Sequence, residues 1–201
     1  MIRKLTLFAP ALALIVSVYA APAQAQTWTI DTAHSHVGFK VRHMMVSWVR
    51  GEFHKVDATI TLNPKKLKQA QIDVTIDVAG IDTENEKRDE HLRSADFFDA
   101  ERFPTMTFTS TAVKPGKGDS FQLIGDLTIR GVTREVILDV EGGLEPVSDP
   151  WGNVKLGFSA STVIDRKDFG LTWNKNLDAG GVLVSDEVRI EIELELNKAE
   201  N

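Results

Sequence analysis

The chain has 201 residues and no cysteine, with 29 acidic against 23 basic side chains and a net charge of −6 at pH 7. The missing cysteine excludes a catalytic thiol, a thiolate metal centre and any disulfide, so the fold rests on core burial. An acidic balance with no basic cluster in the sequence argues against nucleic acid and against anionic membrane surfaces as partners.

The first residues, Met1-Ile2-Arg3-Lys4, are followed by an apolar run from Leu5 to about Ala20 and then by Ala23-Gln24-Ala25. A basic start, a short apolar stretch and a small-residue site read as a secretory signal peptide over 1–25, cleaved after Ala25. A retained anchor is the weaker reading, because Pro10 interrupts the run. The absence of cysteine near the cleavage site excludes a bacterial lipoprotein anchor. Cleavage leaves 176 of the 201 residues, 26–201, enough for one domain with a single core. It also removes Arg3 and Lys4 and takes the net charge from −6 to −8. A soluble exported protein with no stable membrane anchor is expected.

Beyond that segment the dominant period is two. Residues 56–62 alternate, and Asn63-Pro64 then fits an N-cap with proline at the first helical position, opening a short turn to Gln69. Residues 71–78 place Ile72, Val74, Ile76 and Val78 on one face and Asp73, Thr75 and Asp77 on the other. The pattern breaks at Thr83, where Thr83-x-x-Glu86 matches a capping box and predicts a helix over about 83–93. Glu84 with Arg88 and Asp89 with Arg93 are spaced as favourable pairs on it, and Leu92, Phe97 and Phe98 are the groups able to dock it. Such a mostly polar helix reads as a lid over one opening of a β-structure. Alternation returns over 106–113, 121–129, 136–140, 155–164 and 188–196. The strands are divided by turn residues at 115–119, Arg130-Gly131, Gly142-Gly143 and 149–153. Strict alternation gives one apolar and one solvated face, the pattern of antiparallel sheets. Seven or eight such strands predict an all-β sandwich or a closed up-and-down barrel, whose interior holds side chains or one small ligand.

Three groups of residues carry candidate chemistry. His34-x-His36 points two imidazoles to one side of a strand, where His43 would complete a metal site, but no acidic or thiol partner stands at a recognisable spacing. No metal and no cofactor are expected. Ser35 beside His34, with Asp31 upstream, supplies the residue types of a hydrolase, while Gly157-Phe158-Ser159-Ala160-Ser161 fails the nucleophile-elbow pattern. Arg88 and His91 share a helix face and suit an anionic or polar head group at a barrel rim. The structural alternative has Arg88 or Asp89 tie the helix to a neighbouring strand, with His91 and Leu92 packed beneath it. The aromatics Phe39, Phe53, Phe97, Phe98, Phe108, Phe158 and Trp173, with Trp48 near a strand end, form either core or the wall of a lumen.

Ordered motifs along nearly the whole mature chain resemble one family. They include Ile30-Asp31-x-x-His34-Ser35, Phe39-x-Val41-x-His43, Ser47-Trp48-x-x-Gly51-x-Phe53 and Asp82-Thr83. Arg88-Asp89-x-His91-Leu92-Arg93-Ser94-Ala95-Asp96-Phe97-Phe98, Pro104-x-Met106-x-Phe108 and Gly125-Asp126-Leu127-Thr128-Ile129 follow, then Lys167-Asp168-Phe169-Gly170. Together they are similar to the YceI-like proteins. The resemblance implies an extended eight-stranded, lipocalin-like antiparallel barrel, exported to the periplasm, with no established catalysis. It implies a lumen that holds a polyisoprenoid or another long-chain amphiphile, for transport, storage or sequestration. On that reading Phe39, Trp48, Phe53, Phe108, Phe158 and Trp173 meet the ligand in the lumen, and His34, His43, Arg88 and His91 offer a polar rim to its head group. The alternative function is a periplasmic hydrolase or lipid-modifying enzyme using His34, Ser35 or His91. A weaker third is a stress-linked interaction protein with an incidental lipid. A homodimer is left open.

Overall fold

Alternation becomes a barrel because the last strand is long enough to meet three neighbours. In the computed structural model, residues 25–178 and 180–199 are described; the predicted signal segment, apart from Ala25, lies outside them. Twelve strands form one sheet: β1 (Gln26–Ile30), β2 (His36–His43), β3 (Ser47–Phe53), β4 (Val56–Leu62), β5 (Gln71–Asp77), β6 (Ile81–Asp82), β7 (Thr105–Pro115), β8 (Ser120–Ile129), β9 (Val132–Gly142), β10 (Val147–Ser148), β11 (Val154–Asp165) and β12 (Val184–Lys198). All the pairings are antiparallel.

β12 has 15 residues. One edge pairs with β11 from Glu187 to Asn197. The other takes β1 opposite Leu196–Lys198 and β2 opposite 184–193. Closing β11 on β12 completes a ring of eight strands in the order β12, β1, β4, β5, β7, β8, β9, β11. β2, β3 and β6 extend the sheet from the N-terminal half of β12. Ring closure removes the open edge that a strand as regular as β12 would otherwise expose. Of the two architectures that the period allows, the closed barrel forms and the sandwich does not, as the resemblance implies.

Side-chain direction follows the pleat. Val188, Ile190, Ile192, Leu194 and Leu196 of β12 face inward, while Arg189, Glu191 and Glu193 are exposed. At the β1 end the interior is filled: Trp28, 1% exposed, donates its indole N–H to the Leu62 carbonyl at 3.1 Å and packs with Ile60, Leu156 and Leu196. Asn63 caps the 3₁₀ turn Pro64–Gln69 as predicted, its side chain accepting from the Lys65 amide at 2.9 Å.

One local expectation is corrected. The helix α1 runs Glu86–Arg93 rather than 83–93, and its N-cap is Asn85, whose side chain accepts from the Arg88 amide at 3.1 Å. The capping box and the two four-apart ion pairs do not form. Thr83 and Asp89 are engaged with each other instead, and Arg93 donates to the Ala79 and Ile81 carbonyls at 3.3 Å. Tertiary hydrogen bonds to otherwise unpaired groups outweigh exposed pairs worth about 0.2–0.5 kcal/mol.

Trp28→Ala is expected to destabilise the protein by about 3–5 kcal/mol in urea denaturation, from the cavity it leaves and the Leu62 carbonyl it unpairs. A loss below about 1 kcal/mol would show that the β1 end is not a packed plug.

Candidate functional site

Above the Trp28 plug the barrel is not filled. A cavity of about 270 Å³ runs through it, walled by inward-facing apolar side chains of nearly every strand. That volume lies just below the roughly 300–1,000 Å³ typical of ligand pockets. The wall is uneven. Phe121, Leu123, Leu127 and Ile129 of β8 are buried, whereas Val37, Phe39 and Val41 of β2 and Val188, Ile190 and Ile192 of β12 are only half-buried despite pointing inward. All six line the cavity.

Phe39, Phe53, Phe108 and Phe158, four of the residues predicted to meet a ligand, line this cavity. Two of them lie over glycines. A Cβ on Gly51 would fall 2.5 Å from the Phe39 ring, and one on Gly125 would fall 2.4 Å from the Phe108 ring. Phe39, Phe53 and Phe98 form a run of rings with centroids 5.8 and 6.0 Å apart, which brings the segment after α1 into the lumen wall. Leu92 and Phe97 join Phe98 in that wall. The polar helix is thus held by the three apolar side chains expected to dock it, and its segment covers one end of the lumen.

Arg88 and His91 serve this cover and are not among the lining residues. Arg88 donates from Nε to the Thr83 hydroxyl at 2.7 Å and from its terminal nitrogen to the Thr83 carbonyl at 2.6 Å. The buried Asp89 accepts from the Thr83 amide at 2.9 Å and from its hydroxyl. Thr83 is therefore tied on three atoms, and Arg88-Asp89 holds α1 to the strand end before it. His91 lies edge-on to Phe97 and Trp173, with centroids at 5.0 and 4.8 Å, and its Nε2 is 2.9 Å from an Asp96 oxygen. Trp173 thus packs on the cover and is likewise outside the lining.

The remaining predicted residues lie elsewhere. His43 closes β2 on the inward side but beyond the lining. Trp48 sits on the outer face beneath Arg42. His34 is exposed, with Nδ1 3.2 Å from Asp31 and 3.8 Å from Glu195. His36 pairs with Glu52 at 2.6 Å. Seven residues of strand, roughly 23 Å, separate His36 from His43, so the three histidines do not converge. The Ser35 hydroxyl accepts from the Glu195 amide at 3.0 Å and is bonded to the Glu195 carbonyl, so it is held by main chain rather than by an imidazole.

Asp31, His34 and Glu195 bring ligand atoms within 4.8 Å of one another, but a cation already stands there. The Lys155 ammonium donates to Asp31 at 2.9 Å and Glu195 at 2.6 Å, tying β11 and β12 to the end of β1. The hydrogen bond from Lys155, then that from His34, holds the Asp31 carboxyl well below the usual carboxylate range against the effect of burial. Glu195 and Asp31 in turn push Lys155 up to about 12.

Arg166 is the functional-site residue that sequence reasoning missed. It follows β11 in the 3₁₀ turn Arg166–Phe169, is buried, and is the one charged side chain in the lining. Nε donates to the Ser185 carbonyl at 2.9 Å, one terminal nitrogen to the Leu171 and Trp173 carbonyls at 2.6 and 2.8 Å, and the other to Asp186 at 3.3 Å. Burial pulls its guanidinium below its ordinary value, with Asp186 and Asp165 opposing. Nothing local distinguishes it, because a basic residue after an alternating strand ordinarily faces water.

The apolar lumen, the polar-tethered cover and the order of the motifs meet in one comparison. Residues 28–196 match the model of the YceI-like domain. The chain belongs to the YceI-like family. A UPF0312 protein of Photorhabdus laumondii is 37% identical over 193 residues, covering 96% of this chain and 97% of its own. The crystal structure of Burkholderia cenocepacia BcnA shares the fold at a TM-score of 0.72 and 28% identity, over 83% of this chain and 98% of its own. A domain from Saccharophagus degradans, described as polyisoprenoid binding and implicated in plant cell wall breakdown, shares the fold at a TM-score of 0.64. It is 15% identical and covers 87% of this chain and 99% of its own. The eight-stranded lipocalin-like barrel is thus common to this chain and its YceI-like neighbours.

Asp31→Asn tests the Lys155 tie through pH. A carboxyl held below its unfolded value stabilises the fold above about pH 4 and loses that contribution as pH falls further. The stability difference between wild type and variant in urea denaturation should therefore be present at pH 7 and shrink below about pH 4. A difference that stays constant down to acid unfolding would remove the ion-pair explanation.

Proposed function

We propose that this protein is an exported binding protein that holds a polyisoprenoid or similar long-chain amphiphile in its barrel lumen, for transport, storage or sequestration in the periplasm. The observation that carries this reading is a continuous lumen whose lining is apolar except for Thr162 and Arg166. An alkyl or prenyl tail placed there leaves water at about 0.8 kcal/mol per methylene, roughly fourfold in affinity each. The fold-level likeness to a domain described as polyisoprenoid binding supports the same class of ligand.

Arg166 narrows the polar end of that ligand. A guanidinium has five N–H donors, and four hydrogen bonds to Ser185, Leu171, Trp173 and Asp186 leave one for a guest. One donor suits a small uncharged acceptor inside the lumen, whereas a multiply charged head group is better served outside it. Binding rather than hydrolysis is supported by Ser35, whose hydroxyl is engaged with the Glu195 main chain on the outside of the barrel. The basic start, apolar run and Ala23-Gln24-Ala25 support export.

Mass spectrometry of an organic extract from protein purified from its native compartment should show a stoichiometric isoprenoid or other long-chain species. Ala160 lines the lumen and is half-buried, so Ala160→Trp fills the space with indole and should lower the bound lipid at least about tenfold with the strand signal in circular dichroism unchanged. An empty extract from folded wild-type protein would sink stable carriage. In the same preparation the intact mass should correspond to a chain beginning at Gln26; a full-length mass would refute cleavage.

A further inference from the structure

The β2–β3 hairpin carries a group of side chains that neither the lumen nor its cover uses. Its turn is closed by the Val46 amide on the His43 carbonyl at 3.0 Å, with Met44 and Met45 as central residues at φ 53° and 58°. Two consecutive left-handed residues make a type I′ turn, a conformation that favours Asn-Gly and disfavours larger side chains. Methionines occupy it here, and Met44, Met45 and Val46 are 43%, 60% and 78% exposed. Three adjacent apolar side chains therefore stand in water at the tip of the molecule.

Immediately behind the tip, on the outer face, lies Trp48. Arg42, its partner in register, places its guanidinium 4.5 Å from the ring centroid; Arg189 of β12 lies at 5.1 Å and the Lys40 ammonium at 5.7 Å. Arg50 stands opposite Lys40 in the same ladder. Lys40 pairs with Glu191, and Glu187 lies further along β12. Arg42, Arg50 and Arg189 form no ion pair among the described residues. In a chain of net charge −6 these cations gather around one indole because three strands bring them together; along the sequence they are scattered between 40 and 189.

We infer that this hairpin is a docking surface for an anionic phospholipid bilayer. Each part has its place at such an interface. Exposed methionine and valine enter the acyl boundary, the amphipathic indole rests at head-group depth, and the cations meet lipid phosphate. The excess of unpaired cations supplies the charge complementarity that selects an anionic lipid surface over an acidic protein of similar composition to this one. The position also fits. The Met44 amide donates to Leu183 at 2.7 Å and the Leu183 amide to Lys175 at 2.9 Å, in the segment that leads back to Trp173 on the α1 cover. Docking by the hairpin brings the covered end of the lumen to the membrane. The inference supplies the proposed carrier with a route to its cargo, but its residues and its test are separate.

The test is flotation of the full mature chain with vesicles of phosphatidylethanolamine and phosphatidylglycerol, against vesicles of phosphatidylcholine alone. Wild-type protein should float with the anionic vesicles only, and less so as salt rises from about 50 to about 500 mM. Replacing Met44→Asn together with Met45→Gly supplies the residues that a type I′ turn prefers, so the fold is retained while the apolar tip is lost. That variant should bind at least about tenfold more weakly. Arg42→Gln and Arg189→Gln should each weaken binding about fivefold. No flotation of wild type with anionic vesicles, or unchanged flotation of the tip variant, overturns the inference. Lipid content measured on the same samples separates the two readings. Tip-variant protein that keeps its cargo but no longer floats supports docking as a distinct function. Cargo-free wild-type protein that still floats supports docking while sinking carriage.

Discussion

The pairing of β11 with β12 is the constraint on which the other features depend. Eleven consecutive residue pairs, from Asp165 opposite Glu187 to Lys155 opposite Asn197, seal the ring. Once it is sealed, the inward residues of every strand face a common interior, and the period of two in the sequence turns into a difference between lumen and surface. An open sheet of the same strands would leave the apolar face of β12 in water and its edge free to pair with another chain. Closure also sets what the interior can be. β8 contributes buried side chains to the wall, β2 and β12 mostly half-buried ones, and the space they enclose is the lumen.

Charged residues in and around that lumen are tied largely to main chain. Arg88 and Asp89 converge on Thr83, and Arg166 gathers three carbonyls and Asp186. A buried guanidinium is tolerable where its donors meet carbonyls that lack strand partners, because each side then satisfies a group that would be costly to leave unpaired. The cover is consequently polar in sequence but docked by Leu92, Phe97 and Phe98. The same side chains that hold it down are part of the lumen wall, so the cover and the cavity share contacts.

The molecule thus presents two apolar features of different kinds. One is interior, continuous and shielded by α1; the other is three side chains wide, exposed and ringed by cations. They are linked through the hydrogen bonds from the Met44 amide to Leu183 and from the Leu183 amide to Lys175.

Much of this was legible in the sequence. Alternation named the strands at 56–62, 71–78, 106–113, 121–129, 155–164 and 188–196 to within a few residues, Asn63-Pro64 marked its turn, and Phe39, Phe53, Phe108 and Phe158, legible as either core or lumen wall, line the cavity. These depend on neighbours in sequence, since the pleat decides which side a residue faces. The tertiary structure alone decided the rest. Whether the sheet closes, that Asn85 and not Thr83 caps α1, that Trp48 faces out among Arg42 and Arg189, and that Arg166 turns in are matters of pairing between segments far apart. Period and propensity describe the direction of a side chain relative to its own strand; which strand lies next to it, and so whether it meets a carbonyl, an indole or open space, is determined only when register and closure are set.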